Sequence, residues 1–135
     1  MSIKKIITGL VLSMLLSTGM AVAADFSKGL QAAQSGDFKT ALAEWTPLAE
    51  QGNDNAQYNL GVMNEHGEGV PENDKTAVKW YTKAAEQGYV HAQFNLGNMY
   101  DRGEGVPEND KTAVKWFTKA AEQGLAHAQF NLGSM

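Results

Sequence analysis

Pro71-Glu72-Asn73-Asp74-Lys75-Thr76-Ala77-Val78-Lys79-Trp80-Tyr81-Thr82-Lys83-Ala84-Ala85-Glu86-Gln87-Gly88 returns, with one residue changed, as Pro107 to Gly124. Trp80 recurs as Trp116, Gly88 as Gly124 and His91 as His127, each 36 residues on. Outward from this stretch, Asn53–Gly88 aligns without a gap to Tyr89–Gly124, and 27 of the 36 positions are identical. A fixed period of this length marks a stack of supersecondary units, each of which buries its apolar face only against its neighbours.

Each unit reads as two helices. Ala56, Leu60 and Met63 fall at i, i+4 and i+7, and Gly61 among them would let a neighbouring helix approach closely. Gly67-Glu68-Gly69-Val70-Pro71 stops the first helix. Gly67 suits a left-handed helix end, and Pro71 disfavours helix at Val70. Asn73 or Asp74 can cap the second helix by accepting from an exposed backbone N–H. Ala77, Trp80, Tyr81, Ala84 and Ala85 then form its apolar stripe, and Gly88 closes the unit. The second unit repeats this with Leu96, Gly97, Met99, Tyr100, Trp116 and Phe117. Leu125–Met135 begins a third, in which Ala128, Phe130, Leu132 and Gly133 match Ala92, Phe94, Leu96 and Gly97.

Upstream, Asp25–Ser35 reads as a helix weakened at Gly29, and a second runs from about Asp37 to Gln51. Pro47 should kink the latter, because it removes the bond to the Ala43 carbonyl. Ala41, Ala49 and Gly52 match Ala77, Ala85 and Gly88, so residues 24–52 form a degenerate capping pair. Residues 53–88 and 89–124 are the full repeats, and 125–135 an incomplete one.

The beginning of the chain has another purpose. Lys4 and Lys5 precede an apolar run, Ile6 to Leu16, and Ala21-Val22-Ala23 has the small-x-small form of a cleavage site. Residues 1–23 therefore read as a secretory signal, with a periplasmic or secreted destination and no stable membrane insertion after cleavage. Loss of Lys4 and Lys5 takes the formal charge from −4 to −6, which argues against nucleic acid and anionic membranes as partners. With no cysteine, stability must come from packing between helices.

Ala92, Leu96, Gly97, Tyr100, Gly103, Gly105 and Val106, followed by Asp110, Ala113 or Val114, Trp116, Lys119, Ala120, Ala121 and Gly124, resemble the pattern of the Sel-one-like repeat family, relatives of the tetratricopeptide repeats. The preceding unit matches at Ala56, Leu60, Gly61, Gly67, Gly69 and Val70, with Asn64 where the family prefers tyrosine. The resemblance covers about residues 37–135. It implies an all-α fold, a right-handed superhelical solenoid of antiparallel helix pairs, and a role as an adaptor for proteins or peptides. Some cysteine-rich members resemble penicillin-binding or penicillin-hydrolysing proteins. This chain lacks those cysteines, and that activity is not carried over.

By the same resemblance the first helices line the concave surface. Their faces away from the apolar stripe read Asn55, Asn59, Val62, His66, then His91, Asn95, Asn98, Arg102, then His127, Asn131, Ser134. Stacking would set Asn59, Asn95 and Asn131 in a row whose amides both donate and accept, suited to a peptide backbone or carboxylate. His91 and Asn98 flank that row, and Arg102 adds a possible bidentate carboxylate contact. The competing reading has the asparagines bonded to neighbouring helices or to water.

Other features carry less. No His-x-x-x-His pair shares a helix, so no metal and no cofactor is implied. Lys75, Lys79 and Lys83, copied at Lys111, Lys115 and Lys119, read as a solvated face, and Trp80 and Trp116 as core. Gly67-Glu68-Gly69 lacks the ending of a phosphate loop. No serine nucleophile stands beside a base, and no motif carries a carboxylate pair. The reading is a non-enzymatic scaffold. Its alternatives are a periplasmic enzyme acting on cell-wall or β-lactam-like substrates, or a truncated fragment of a longer repeat protein. Self-association through an uncovered C-terminal helix is a further expectation.

Overall fold

Short acidic and amide side chains open five of the helices. Asp25, Asp37, Asn53, Asn73 and Asn109 each accept from a backbone N–H two or three residues on, which satisfies donors that have no partner inside the helix. In the computed structural model, which describes residues 23–135, these caps begin α1 (Phe26–Gln34), α2 (Phe38–Glu50), α3 (Asp54–His66), α4 (Asp74–Glu86) and α6 (Asp110–Glu122). Tyr89 and Leu125 precede α5 (Val90–Arg102) and α7 (Ala126–Ser134) without a side-chain cap. The described residues contain no strand. The secretory-signal reading falls on residues 1–22 and Ala23, almost wholly outside the described residues. Among the latter, no helix is long and apolar enough to cross a membrane.

Each helix packs on the next, so α1/α2, α3/α4 and α5/α6 form pairs and α7 follows. α2 runs on through Pro47, whose own carbonyl accepts from Gln51. One device builds all three pairs. A glycine in the first helix admits an aromatic ring from the second: Gly29 takes Trp45, Gly61 takes Tyr81 and Gly97 takes Phe117. A Cβ on Gly61 would lie 2.5 Å from the Tyr81 ring, and one on Gly97 2.6 Å from that of Phe117. Gly29 is thus the packing site of the opening pair rather than its weak point. The rings sit among alanines. Trp45 packs with Ala41, Ala49, Ala56, Leu60 and Met63, while Tyr81 packs with Ala77, Ala84, Ala92, Leu96 and Trp116.

Glutamines fasten one unit to the next. The buried Gln57 and Gln93 amides donate to the carbonyls of Ala49 and Ala85, at 3.0 and 3.2 Å. Their oxygens accept from Gln87 and Gln123 at 2.8 Å, and those amides also reach the carbonyls of Gly52 and Gly88. The Ala49 and Ala85 carbonyls, which already accept from the N–H groups of Gly52 and Gly88, thereby gain a second partner from the next unit. The loops close alike in both units: Asn73 N–H donates to the Asn64 carbonyl and Asn109 N–H to that of Tyr100. Asn64, where the resemblance expects tyrosine, is buried and turns its amide onto the Leu60 carbonyl at 2.8 Å, leaving the loop unchanged.

Candidate functional site

Of the nine positions at which the two full units differ, eight fall between residues 53 and 66. The ninth is Tyr81/Phe117. The second helices are otherwise copies, so the chemistry that distinguishes one unit from the other lies on the first helices.

There α3 meets α5 through rings. Tyr58 of α3 stacks on Tyr89, the residue that opens α5, with centroids 4.9 Å apart. His91 lies 6.2 Å from each of them. Tyr58 and Tyr89 are half-buried and His91 is exposed, so the cluster is partly open to solvent. At the next junction Phe94 contacts His127 at 6.2 Å, and Leu125 stands in place of Tyr89. The two phenols, and with them the polar character of the cluster, belong to the first junction.

Beneath the rings lies a buried hydrogen bond. The fully buried Tyr81 donates its hydroxyl to Glu65 Oε2 at 2.5 Å. Burial, reinforced by the Glu65 carboxylate, pushes the Tyr81 phenol far above its ordinary value, so it remains a donor. Burial also raises Tyr58, with the neighbouring Tyr89 next in effect, and raises Tyr89 itself, with Asp54 adding to it. In the second unit Phe94, Phe117 and Asp101 replace Tyr58, Tyr81 and Glu65. Both hydroxyls are gone, and the carboxylate that would have received one is a methylene shorter.

The six residues singled out from the sequence spread over this face. His91 joins the ring cluster. Asn95 is half-buried, and its side chain works against the rise of the Tyr58 and Tyr81 phenols. Asn98 accepts from Asn131 Nδ2 at 3.4 Å, so the asparagine-to-asparagine bond between α5 and α7 runs from Asn131 to Asn98, three residues off the expected row. Asn59 lines a cavity with Trp45 and Phe38. Arg102 is exposed in the last turn of α5, where its charge faces the negative helix end. Tyr58, Tyr89 and Glu65 went unnoticed in the sequence. The signal that could have found them is the comparison between units, since positions 58, 65 and 81 change together. Among the described residues no group of three His, Asp or Glu side chains is placed to hold a metal ion. Lys75, Lys79 and Lys83 are exposed on α4, and Trp116 is buried beneath Lys115 and Lys119.

The Sel1 repeat family model matches residues 54–89 and 90–125. Among solved structures, a Sel1 repeat protein from Oxalobacter formigenes is 38% identical with a TM-score of 0.78, over 82% of this chain and 45% of that one. A protective antigen present in uropathogenic Escherichia coli strains, displaying an SLR fold, is 36% identical with a TM-score of 0.76, over 81% of this chain and 24% of that one. Helicobacter pylori cysteine rich protein B is 26% identical with a TM-score of 0.65, over 84% of this chain and 99% of that one. The chain thus spans less than half the length of the first two. No curated protein matches it. The helix pairs described above stack as in these neighbours, as a solenoid.

Proposed function

The chain belongs to the Sel1 repeat family, whose members are typically scaffolds for protein–protein interaction, and on that premise we propose that it is an exported, non-enzymatic scaffold that holds an extended peptide segment of a partner along the first-helix face. The observation that carries this reading is the Tyr58–Tyr89–His91 cluster. Tyrosine concentrates at interface hot spots because it offers a large, stiff apolar body with a polar tip. Here Tyr58 and Tyr89 are held against each other by stacking, so little side-chain freedom is lost on binding. Asn98, Asn131 and Asn59 supply donors and acceptors along the same face. The opposite helices are near-identical copies bearing the exposed lysines, which is what a solvated outer layer requires.

Export is supported by the basic start, the apolar run and the Ala21-Val22-Ala23 site. It predicts that the protein recovered from the cell envelope has an intact mass beginning at Ala24. A mass that retains the segment from Met1 would contradict it.

The groove reading predicts that heptapeptides selected from a random library bind wild type at least tenfold more tightly than His91→Ala or Asn98→Ala, about 1.4 kcal/mol per variant. Lys79→Ala, on the opposite layer, should leave binding unchanged. Titration calorimetry separates the cases. Peptides indifferent to both groove variants, or sensitive only to Lys79→Ala, would refute the reading.

A further inference from the structure

The three glycine–ring contacts put the first helices in a common register. From Gly29, Gly61 and Gly97 each helix runs five further residues, to Gln34, His66 and Arg102. Four residues after the glycine stand Ala33, Glu65 and Asp101. In the groove between α3 and α5, Glu65 reaches Tyr81 across the floor. In the groove between α1 and α3 the counterpart of Tyr81 is Trp45, whose indole N–H is already taken by the Phe26 carbonyl at 3.2 Å. The counterpart of Glu65 is only a methyl group. The result is a cavity of about 340 Å³, walled by Ala33, Phe38, Trp45 and Val62, with Asn59 and Glu68 among its polar residues. An apolar lining with a few placed polar groups, at this volume, has the character of a small ligand site.

We propose that this cavity is the anchor pocket of the peptide groove and takes one aliphatic side chain, of leucine size, from a peptide whose next residue is basic. The proposal rests on the groove reading above and adds the side chains the peptide must carry. The Asn59 amide would hold the anchor residue's main chain, since it can donate and accept at once. The neighbouring cation is selected by Glu68. Among the described residues the one ion pair within 4.0 Å joins Lys28 to Glu44, so none of their cations is paired with the Glu68 carboxylate. The apolar part of the occupant follows from the walls. A carboxylate at the place of Glu65 would meet an indole whose donor is spent, whereas an alkyl group meets ring, methyl and isopropyl surfaces.

The test is a titration of the ¹⁵N-labelled protein with Ac-Gly-Leu-Lys-Gly-NH₂, following the indole N–H signals of Trp45, Trp80 and Trp116. Trp80→Phe and Trp116→Phe assign them. The expected result is a saturable shift confined to Trp45, with a Kd on the order of 1 mM. Ala33→Leu, which puts an isobutyl group into the cavity, should weaken binding at least tenfold. Asn59→Ala should weaken it about threefold, and so should the same peptide with glutamate in place of lysine. Should Ala33→Leu fail to fold, Val62→Phe narrows the same space from the other wall. A Trp45 signal that does not move at about 10 mM peptide overturns the pocket, as does a folded cavity-filling variant that binds like wild type. Equal binding of the glutamate peptide overturns the assignment of Glu68. A peptide that shifts Tyr89 and His91 but not Trp45 overturns the pocket while leaving the groove reading in place.

Discussion

Gly97→Ala is expected to destabilise the protein by about 2 kcal/mol, although alanine is the better helix former. Propensity alone favours the substitution by about 1 kcal/mol at a helix interior. Against it stands the Phe117 ring, fully buried, with an atom 2.6 Å from where the new methyl would sit. The ring has no room to turn aside, because it is fully buried with the Phe94 ring 5.8 Å away. The two helices must separate instead, and overpacking of this kind costs about 1–3 kcal/mol before the lost contacts are counted. Gly133 offers the control. It occupies the same repeat position in α7, and nothing lies within 4 Å of its would-be Cβ. Gly133→Ala should therefore be neutral or stabilising, by less than about 1 kcal/mol. The urea midpoint should fall for Gly97→Ala and hold or rise for Gly133→Ala. Loss of stability in both, or in neither, would mean that the glycine–ring contact is not what sets the helix spacing.

Much of the architecture was legible because it rests on backbone chemistry written locally. Asn73 caps where a capping residue was expected, Gly67 adopts φ 67° at the helix end, and Ala56, Leu60 and Met63 are buried on one face. Gly61 was readable as a point of close approach. What approaches it was not, since the partner ring lies on another helix and its identity depends on the register between the two. Gly29 shows the cost of judging a residue by its own helix: propensity marks it as weak, and only Trp45 explains it. The glutamine ties were invisible for a similar reason. Gln57, Gln87 and Gln93 look like ordinary polar surface until the stack brings helix-end carbonyls against them. On the first-helix face, periodicity picked out the asparagines but passed over the tyrosines, whose role depends on contacts between units. The sequence did hold one usable clue, the joint change at positions 58, 65 and 81, and it becomes interpretable once Tyr81 is seen to donate to Glu65.

The groove and its scaffold are coupled through the second glycine of each loop, and Gly105→Ala is expected to be more damaging than the same change at Gly103 or Gly124. Gly103 and Gly105 both have positive φ, 68° and 70°. A side chain at such a position costs roughly 1–2 kcal/mol from backbone sterics alone. For Gly103 that is most of the cost, since its nearest neighbour, the Glu108 nitrogen, is 3.2 Å from the added carbon. At Gly105 the added carbon would overlap the carbonyl of Asp74. That carbonyl belongs to the first turn of α4, so neither side can yield without disturbing a helix start. Gly69 makes the corresponding contact with Phe38 at the start of α2. Each loop therefore lands on the preceding unit's second helix and fixes how far one unit turns relative to the last. Adding the overlap to the φ penalty gives about 3 kcal/mol for Gly105→Ala, against about 1–2 kcal/mol for Gly124→Ala, where φ is 90° and nothing lies within 4 Å. The difference between the two variants isolates the contact between units. If the loop sets the turn, Gly105→Ala should also lower hydrogen-exchange protection at the start of α4 and weaken the Tyr58–Tyr89 stack, whose rings come from helices on either side of that joint. Equal losses in the two variants would show that the loop glycine answers only to its own backbone, and that the spacing of the first helices is set by the rings and glutamines alone.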